Sequence, residues 1–241
     1  TVGGAASWFV AGRPWTGPAQ ALLQTPAQPT ESFWGAVRDQ FVMPRDLGVM
    51  NAANLCPSSA PALDAMYENT RDMDRDPSPQ NRVKMAEGKE NTRQLLADFL
   101  RVTPEEIIIT RNTSEANNMV SSGVHLGEGD EVVLFADNHP SNKRAWESKS
   151  ERFGFTINEL PNPNPHPGPE YYIEAVRAAL TPRTRVLAVT HLTSSVGDLM
   201  PARELCQLAR ENDVLSLLDG AQSCGLLDVD LGSTQSGCRP E

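Results

Sequence analysis

From residue 106 onward the chain alternates short apolar runs with amphipathic stretches, and that rhythm predicts most of its elements. Residues 106–110, 131–136, 155–160, 185–190 and 214–218 read as strands. Residues 113–124, 141–153, 170–180 and 201–212 read as the helices between them. The strand centres, such as Ile107-Ile108-Ile109, Val132-Val133-Leu134-Phe135 and Val186-Leu187-Ala188-Val189, are nearly continuous apolar runs. A strand with one wet face would alternate, so these runs predict strands covered on both faces. The expected fold class is α/β, a three-layer arrangement of a mostly parallel sheet with helices on both faces.

Upstream the pattern is helical and less regular. Residues 31–41 place Phe33, Val37 and Phe41 on one side, with Trp34 beside them. Residues 60–73 and 81–102 predict two further helices, the second carrying Leu95, Leu96, Phe99 and Leu100, and residues 48–55 predict an extended segment. Residues 1–30 have several Pro and Gly and no clear period, which predicts an N-terminal arm followed by one major domain over 31–241. The small apolar start of that arm also fits the remnant of an export signal. The expected compartment is the cytoplasm, or the periplasm if the signal reading holds.

Composition narrows the function classes. A chain of 241 residues with net charge −10 lacks the Lys/Arg surplus that nucleic acid demands. No apolar run has the length of a membrane span. The four cysteines, Cys56, Cys206, Cys224 and Cys238, are widely spaced without a C-x-x-C pair. They read as free, buried thiols rather than as a zinc site or disulfide framework.

In open parallel sheets ligands sit at the carboxyl ends of strands, so those positions carry the candidate chemistry. After the first predicted strand, Asn112 and Glu115 have capping-box spacing, which starts a helix at Thr113-Ser114. Its free N–H groups and two hydroxyls make a phosphate cup, although a plain N-cap is the commoner explanation of such a segment taken alone. The second strand leads to Asp137-Asn138-His139, whose imidazole can stack on a planar ring or move protons, or be only a polar loop residue. The fourth leads to His191-Leu192-Thr193-Ser194, where hydroxyls meet a ligand or simply form a turn. The last ends in Asp219-Gly220-Ala221-Gln222-Ser223. A carboxylate there can hold a pyridinium N–H, while Asp-Gly alone is also a turn signal. No G-x-G-x-x-G follows the first strand, which disfavours a Rossmann-type nucleotide binder.

Taken in order, T-x-x-T-S-E-A-x-N at Thr110 to Asn118, the loop with His139, H-x-T-S-x-x-G-x-x-x-P at His191 to Pro201, and D-G-A-Q-S at Asp219 to Ser223 resemble the class V aminotransferases of fold-type I. That group includes isopenicillin N epimerase-like proteins and cysteine desulfurases. The resemblance implies pyridoxal phosphate (PLP) as cofactor, a small amino compound as substrate, and a homodimer. It implies that Thr113 and Ser114 bind the phosphate, that His139 stacks on the pyridine ring and aids proton transfer, and that Asp219 pairs with the ring nitrogen. It also implies that Gln222 meets the ring's 3-oxygen, and that Thr193 and Ser194 lie near cofactor or substrate. Ser194 stands where desulfurases carry Asn, which favours the epimerase-like branch. The pattern departs from the family after Gly232, and no lysine follows Lys149. The expectation is therefore a large PLP-type domain truncated before its covalent lysine and lacking the small C-terminal domain, inactive as it stands. The alternative is a non-catalytic binding module that keeps the fold. Lys143, close to His139, reads as part of a solvated helix face.

Overall fold

The computed structural model describes residues 28–232 apart from 51, 53 and 54, together with the backbone of 9–10 and 13–14. The expected arm, the export-signal reading, Cys238 and the divergent tail 233–241 thus lie outside the described residues. The exceptions within the arm are residues 28–30 and a short antiparallel pair, β1 (Phe9–Val10) with β2 (Arg13–Pro14). The chain divides into two compact units between Thr92 and Arg93.

The first unit holds α1 (Glu31–Arg38), α2 (Ala60–Arg75) and the beginning of α3 (Pro79–Leu100). Thr30 caps α1, its hydroxyl accepting from the Phe33 N–H at 3.3 Å. Buried Asn81 closes the α2–α3 corner by donating to the Asp76 carbonyl at 2.9 Å and the Asp72 carboxylate at 3.1 Å. That amide and the Lys84 ammonium hold the Asp72 carboxyl below its ordinary range.

In the second unit four strands, β3 (Glu131–Phe135), β4 (Thr156–Leu160), β5 (Thr184–Thr190) and β6 (Leu215–Asp219), form an all-parallel sheet in the order β4-β3-β5-β6. Helices α4 (Thr113–Gly123), α5 (Pro140–Phe153), α6 (Pro169–Ala179) and α7 (Ala202–Glu211) connect and cover it. The two-residue period of the strands divides their apolar runs between two cores. Val133, Phe135, Leu187 and Val189 pack with Tyr172 and Val176 of α6 and Leu205 and Leu208 of α7. Val132, Leu134, Val186 and Ala188 pack on the other face with Trp146 of α5 and with Phe155. The expected three layers are therefore present, and the apolar runs are continuous because both faces are covered.

The predicted strand at 106–110 did not form. Pro104–Glu106 is a 3₁₀ turn, Ile107 is extended, and 107–110 joins no ladder among the described residues. Ile108 is 74% exposed. Strand propensity there is sufficient, but a strand exists only with a neighbour to take its N–H and C=O groups. Arg93 serves part of the segment instead, donating from Nε to the Ile107 carbonyl at 3.0 Å and from Nη2 to the Pro104 carbonyl.

Glu131 ties the amino ends of β3 and β5. Its buried carboxylate accepts from the Thr181 hydroxyl at 2.6 Å and from Arg183 Nε at 2.8 Å. The Thr181 hydrogen bond, with help from Arg183, holds this carboxyl below its ordinary 4.5. A carboxyl lowered on folding stabilises above its unfolded value, and that contribution is lost as pH falls through the lowered value. Glu131→Gln is expected to reduce the urea midpoint at neutral pH and to shrink the loss between neutral pH and about pH 3. Equal acid losses in both proteins would refute this linkage.

Candidate functional site

The carboxyl ends of β5 and β6 and the amino end of α4 enclose a cleft of about 620 Å³. Thr113, Asn117, His191, Asp219 and Ser223 line it. Sheet register places Asp219 beside Thr190, so the last residue of β6 sits level with the end of β5.

Asp219 is only 4% exposed, and three N–H groups converge on it. The Asn117 amide donates to Oδ2 at 2.9 Å, the Asn142 amide to Oδ2 at 3.4 Å, and the Ala221 backbone N–H to Oδ1 at 3.1 Å. A carboxylate supplies the acceptors that all three require. Next to it, the Thr190 hydroxyl donates to Asn138 Oδ1 at 2.7 Å, which fixes the loop after β3 against the end of β5.

At the start of α4 Asn112 caps as expected, Oδ1 accepting from the Glu115 N–H at 2.9 Å. The reciprocal half of the box is displaced by one residue, because the Glu115 carboxylate takes the Arg111 N–H at 2.7 Å and the Arg111 guanidinium. Those contacts hold the Glu115 carboxyl below its ordinary range, the Arg111 side chain first. Among the described residues the Thr113 and Ser114 N–H groups have no protein acceptor, which leaves the positive end of the helix dipole open.

His139 is the N-cap of α5. Its Nδ1 accepts from the Ser141 N–H at 3.2 Å and lies 2.8 Å from the Ser141 hydroxyl, so the exposed ring is oriented by the helix it begins. Gln222 is half-buried in the turn after β6. Ser194 is exposed, whereas Thr193 is buried and used internally, its Oγ1 accepting from the Asp198 N–H at 3.0 Å. Lys143 is ion-paired with Glu159 of β4 rather than solvated. The cysteine expectation needs correction. Cys206 is buried, but Cys56 and Cys224 are exposed, since they lie in connecting segments rather than in elements packed on the sheet.

Sequence reasoning missed Asn117, Asn142 and the role of His191. Asn117 follows Thr113 by four positions and Asn142 follows His139 by three, so each shares a helix face with a candidate residue. An amide on a helix face turned toward an apolar sheet was the signal. His191 is half-buried, with Nδ1 2.9 Å from Ser223 Oγ, and Ser223 Oγ is 3.4 Å from the Gly220 carbonyl. Burial pushes its imidazole below the ordinary 6.5. The unfolded chain therefore binds more protons between the lowered value and 6.5, and stability falls as pH drops through that window. His191→Gln is expected to remove that part of the decline between about pH 7 and pH 5, read from urea midpoints. An unchanged decline would refute it.

The profile of the family described as "Aminotransferase class-V" matches residues 54–236. The chain belongs to the class V aminotransferase family. Isopenicillin N epimerase of Amycolatopsis lactamdurans is 31% identical over 203 residues, covering 83% of this chain and 51% of that protein. A "Probable cysteine desulfurase" of Halalkalibacterium halodurans is 31% identical over 156 residues, covering 63% and 37%. Among solved structures, a lysine-to-alanine mutant of C-DES with glycine covalently linked to its PLP cofactor superposes with a TM-score of 0.75. It is 26% identical and covers 80% of this chain and 51% of that one. This chain thus spans between 37% and 51% of the length of these relatives. These matches indicate pyridoxal phosphate as the cofactor of this class V aminotransferase fold.

Proposed function

We propose that this chain carries the cofactor-gripping half of a PLP-dependent enzyme acting on a small amino compound, in the epimerase-like branch of the class V aminotransferases. The observation that carries the reading is the convergence at one cleft of a buried, three-donor carboxylate and an open helix N-terminus. Two dissimilar groups are thereby presented together, an acceptor for a ring N–H and a set of N–H donors for an anion. Ser194, in place of the desulfurase Asn, supports the epimerase-like branch.

When bound, the cofactor supplies an electron-withdrawing ring that stabilises charge at the substrate's α-carbon. This chain's residues would do the rest. Thr113 and Ser114, through hydroxyls and backbone N–H groups, hold the phosphate at the positive end of α4. Asp219 accepts the ring N–H. His139, its ring set by the Ser141 contact, would lie against the cofactor ring, and Gln222 would meet its 3-oxygen. His191, with burial holding its imidazole neutral at pH 7, offers hydrogen-bonding capacity to the same cleft without adding charge.

The test is a titration of the chain with PLP followed by absorbance and tryptophan fluorescence, with pyridoxal lacking the phosphate as comparison. Expected is reversible binding of PLP, weakened by about 10-fold or more without the phosphate, since charge-assisted contacts at a helix N-terminus are lost. Borohydride is expected to fix no label at Lys143, whose ammonium is paired with Glu159. A Lys143 adduct, or equal affinity for the two ligands, would overturn these assignments.

A further inference from the structure

A carboxylate offers about four lone-pair positions on its two oxygens. At Asp219 both positions on Oδ2 are taken, by Asn117 and Asn142, and one on Oδ1 is taken by the Ala221 N–H. One acceptor position remains, on Oδ1. The two amides come from different helices. Asn117 lies one turn beyond Thr113 on α4, and Asn142 lies three residues beyond the His139 cap of α5. Both residues are buried, at 3% and 0% exposure, so neither amide has water as an alternative partner. Their orientation is dictated by charge. Turning the Asn142 amide over would set its Oδ1 against the carboxylate, and that oxygen is already without a partner among the described residues.

We propose that Asn117 and Asn142 are positioning residues that lock the Asp219 carboxylate with a single acceptor position free, matched to one ring N–H of a pyridine cofactor. This rests on the cofactor reading above. Through the same carboxylate they join the helix that begins at Thr113 to the helix that begins at His139. The distance between the phosphate cup and the ring-covering imidazole is then set by one buried hub rather than by either loop. Without the amides, Asp219 is free to rotate and to take water, and the ring N–H loses its aligned acceptor.

The experiment compares the full chain's affinity for PLP with that for the analogue in which C–H replaces the ring nitrogen. A hydrogen bond to a charged acceptor is worth about a 10-fold preference or more, so wild type is expected to favour PLP by at least that factor. Asn117→Leu and Asn142→Leu are each expected to shrink the preference to about 3-fold or less, with thermal unfolding confirming that the variants fold. A variant that weakens both ligands equally while keeping the preference has a purely structural amide, and the proposal fails. A wild-type chain that binds neither ligand refutes the cofactor reading itself. A wild-type chain that binds both equally refutes the ring N–H role of Asp219. Should a leucine variant not fold, Asn117→Ser and Asn142→Ser carry the same comparison, because they shorten the donor without adding apolar bulk.

Discussion

Replacing Asp219 by alanine is expected to lower both the stability of the chain and its affinity for PLP, more than any other single change at the cleft. The carboxylate is buried and receives the Asn117, Asn142 and Ala221 N–H groups. Ala221 is exposed, so its N–H can turn to water, but the two asparagine amides cannot. Each buried donor left without an acceptor costs about 1–3 kcal/mol, which puts the stability loss at about 2–6 kcal/mol. Removing the acceptor for the ring N–H is expected to weaken PLP binding by about 10-fold to 100-fold. Asp219→Asn should fall between wild type and alanine, because one of its two terminal atoms becomes a donor facing other donors. The measurements are urea unfolding and PLP titration of the three proteins. An alanine variant as stable as wild type would mean that the amides do not depend on Asp219.

A double-mutant cycle sharpens the same point. Asn117→Leu alone leaves the carboxylate short of a donor, and Asp219→Leu alone strands the amides. Removing both partners of a buried hydrogen bond at once is far less damaging than the two single losses added together. The cycle is expected to give a coupling of about 1 kcal/mol or more, and additivity would count against a direct contact.

Trp146→Ala is expected to cost about 3–5 kcal/mol, the usual range for emptying a buried aromatic site. Trp146 is fully buried between α5 and the sheet, edge-on to Phe155 with ring centroids 6.5 Å apart, and it packs with Val132, Leu134, Val186 and Ala188. Against a total stability of about 5–15 kcal/mol for a domain, such a loss threatens the fold itself. Trp146→Phe is expected to cost much less, about 1.5 kcal/mol or below, although it also removes volume. The indole Nε1–H has no hydrogen-bond partner among the described residues, so the substitution also removes an unsatisfied donor. Denaturant midpoints decide the point. A Phe variant as damaged as the Ala variant would mean that the N–H does have a partner.

Much of the fold was legible in the chain because its signals are local and repeated. Val132-Val133-Leu134-Phe135 reads as a strand buried on both faces from four consecutive side chains, and the two cores divide those side chains by alternate positions. Asn112 announces the start of α4 through a contact only three residues away. The positions of His139 and Asp219 were legible as strand ends of a parallel sheet, whereas Thr113 was reached through the Asn112 cap, no strand preceding it among the described residues. Ile107-Ile108-Ile109 carries an equally strong strand signal and finds no strand partner among the described residues, because pairing depends on a neighbour that no local pattern specifies.

What the sequence by itself determined is the parallel α/β rhythm and the family motifs that nominate a carboxylate, an imidazole and a helix N-terminus for a pyridoxal-type cofactor. What only the tertiary structure decided is how that carboxylate is held. Asn117 lies 102 positions from Asp219 and Asn142 lies 77, so their meeting is a product of the strand order β3-β5-β6, of α5 covering one face and of α4 packing beside α5. A lone pair is counted only after every donor around it has been placed, and those donors arrive from three separate elements. The same reason turned Thr193 inward to its own turn and pushed the His191 imidazole below its ordinary range, since burial is a property of the assembled chain and not of the residue.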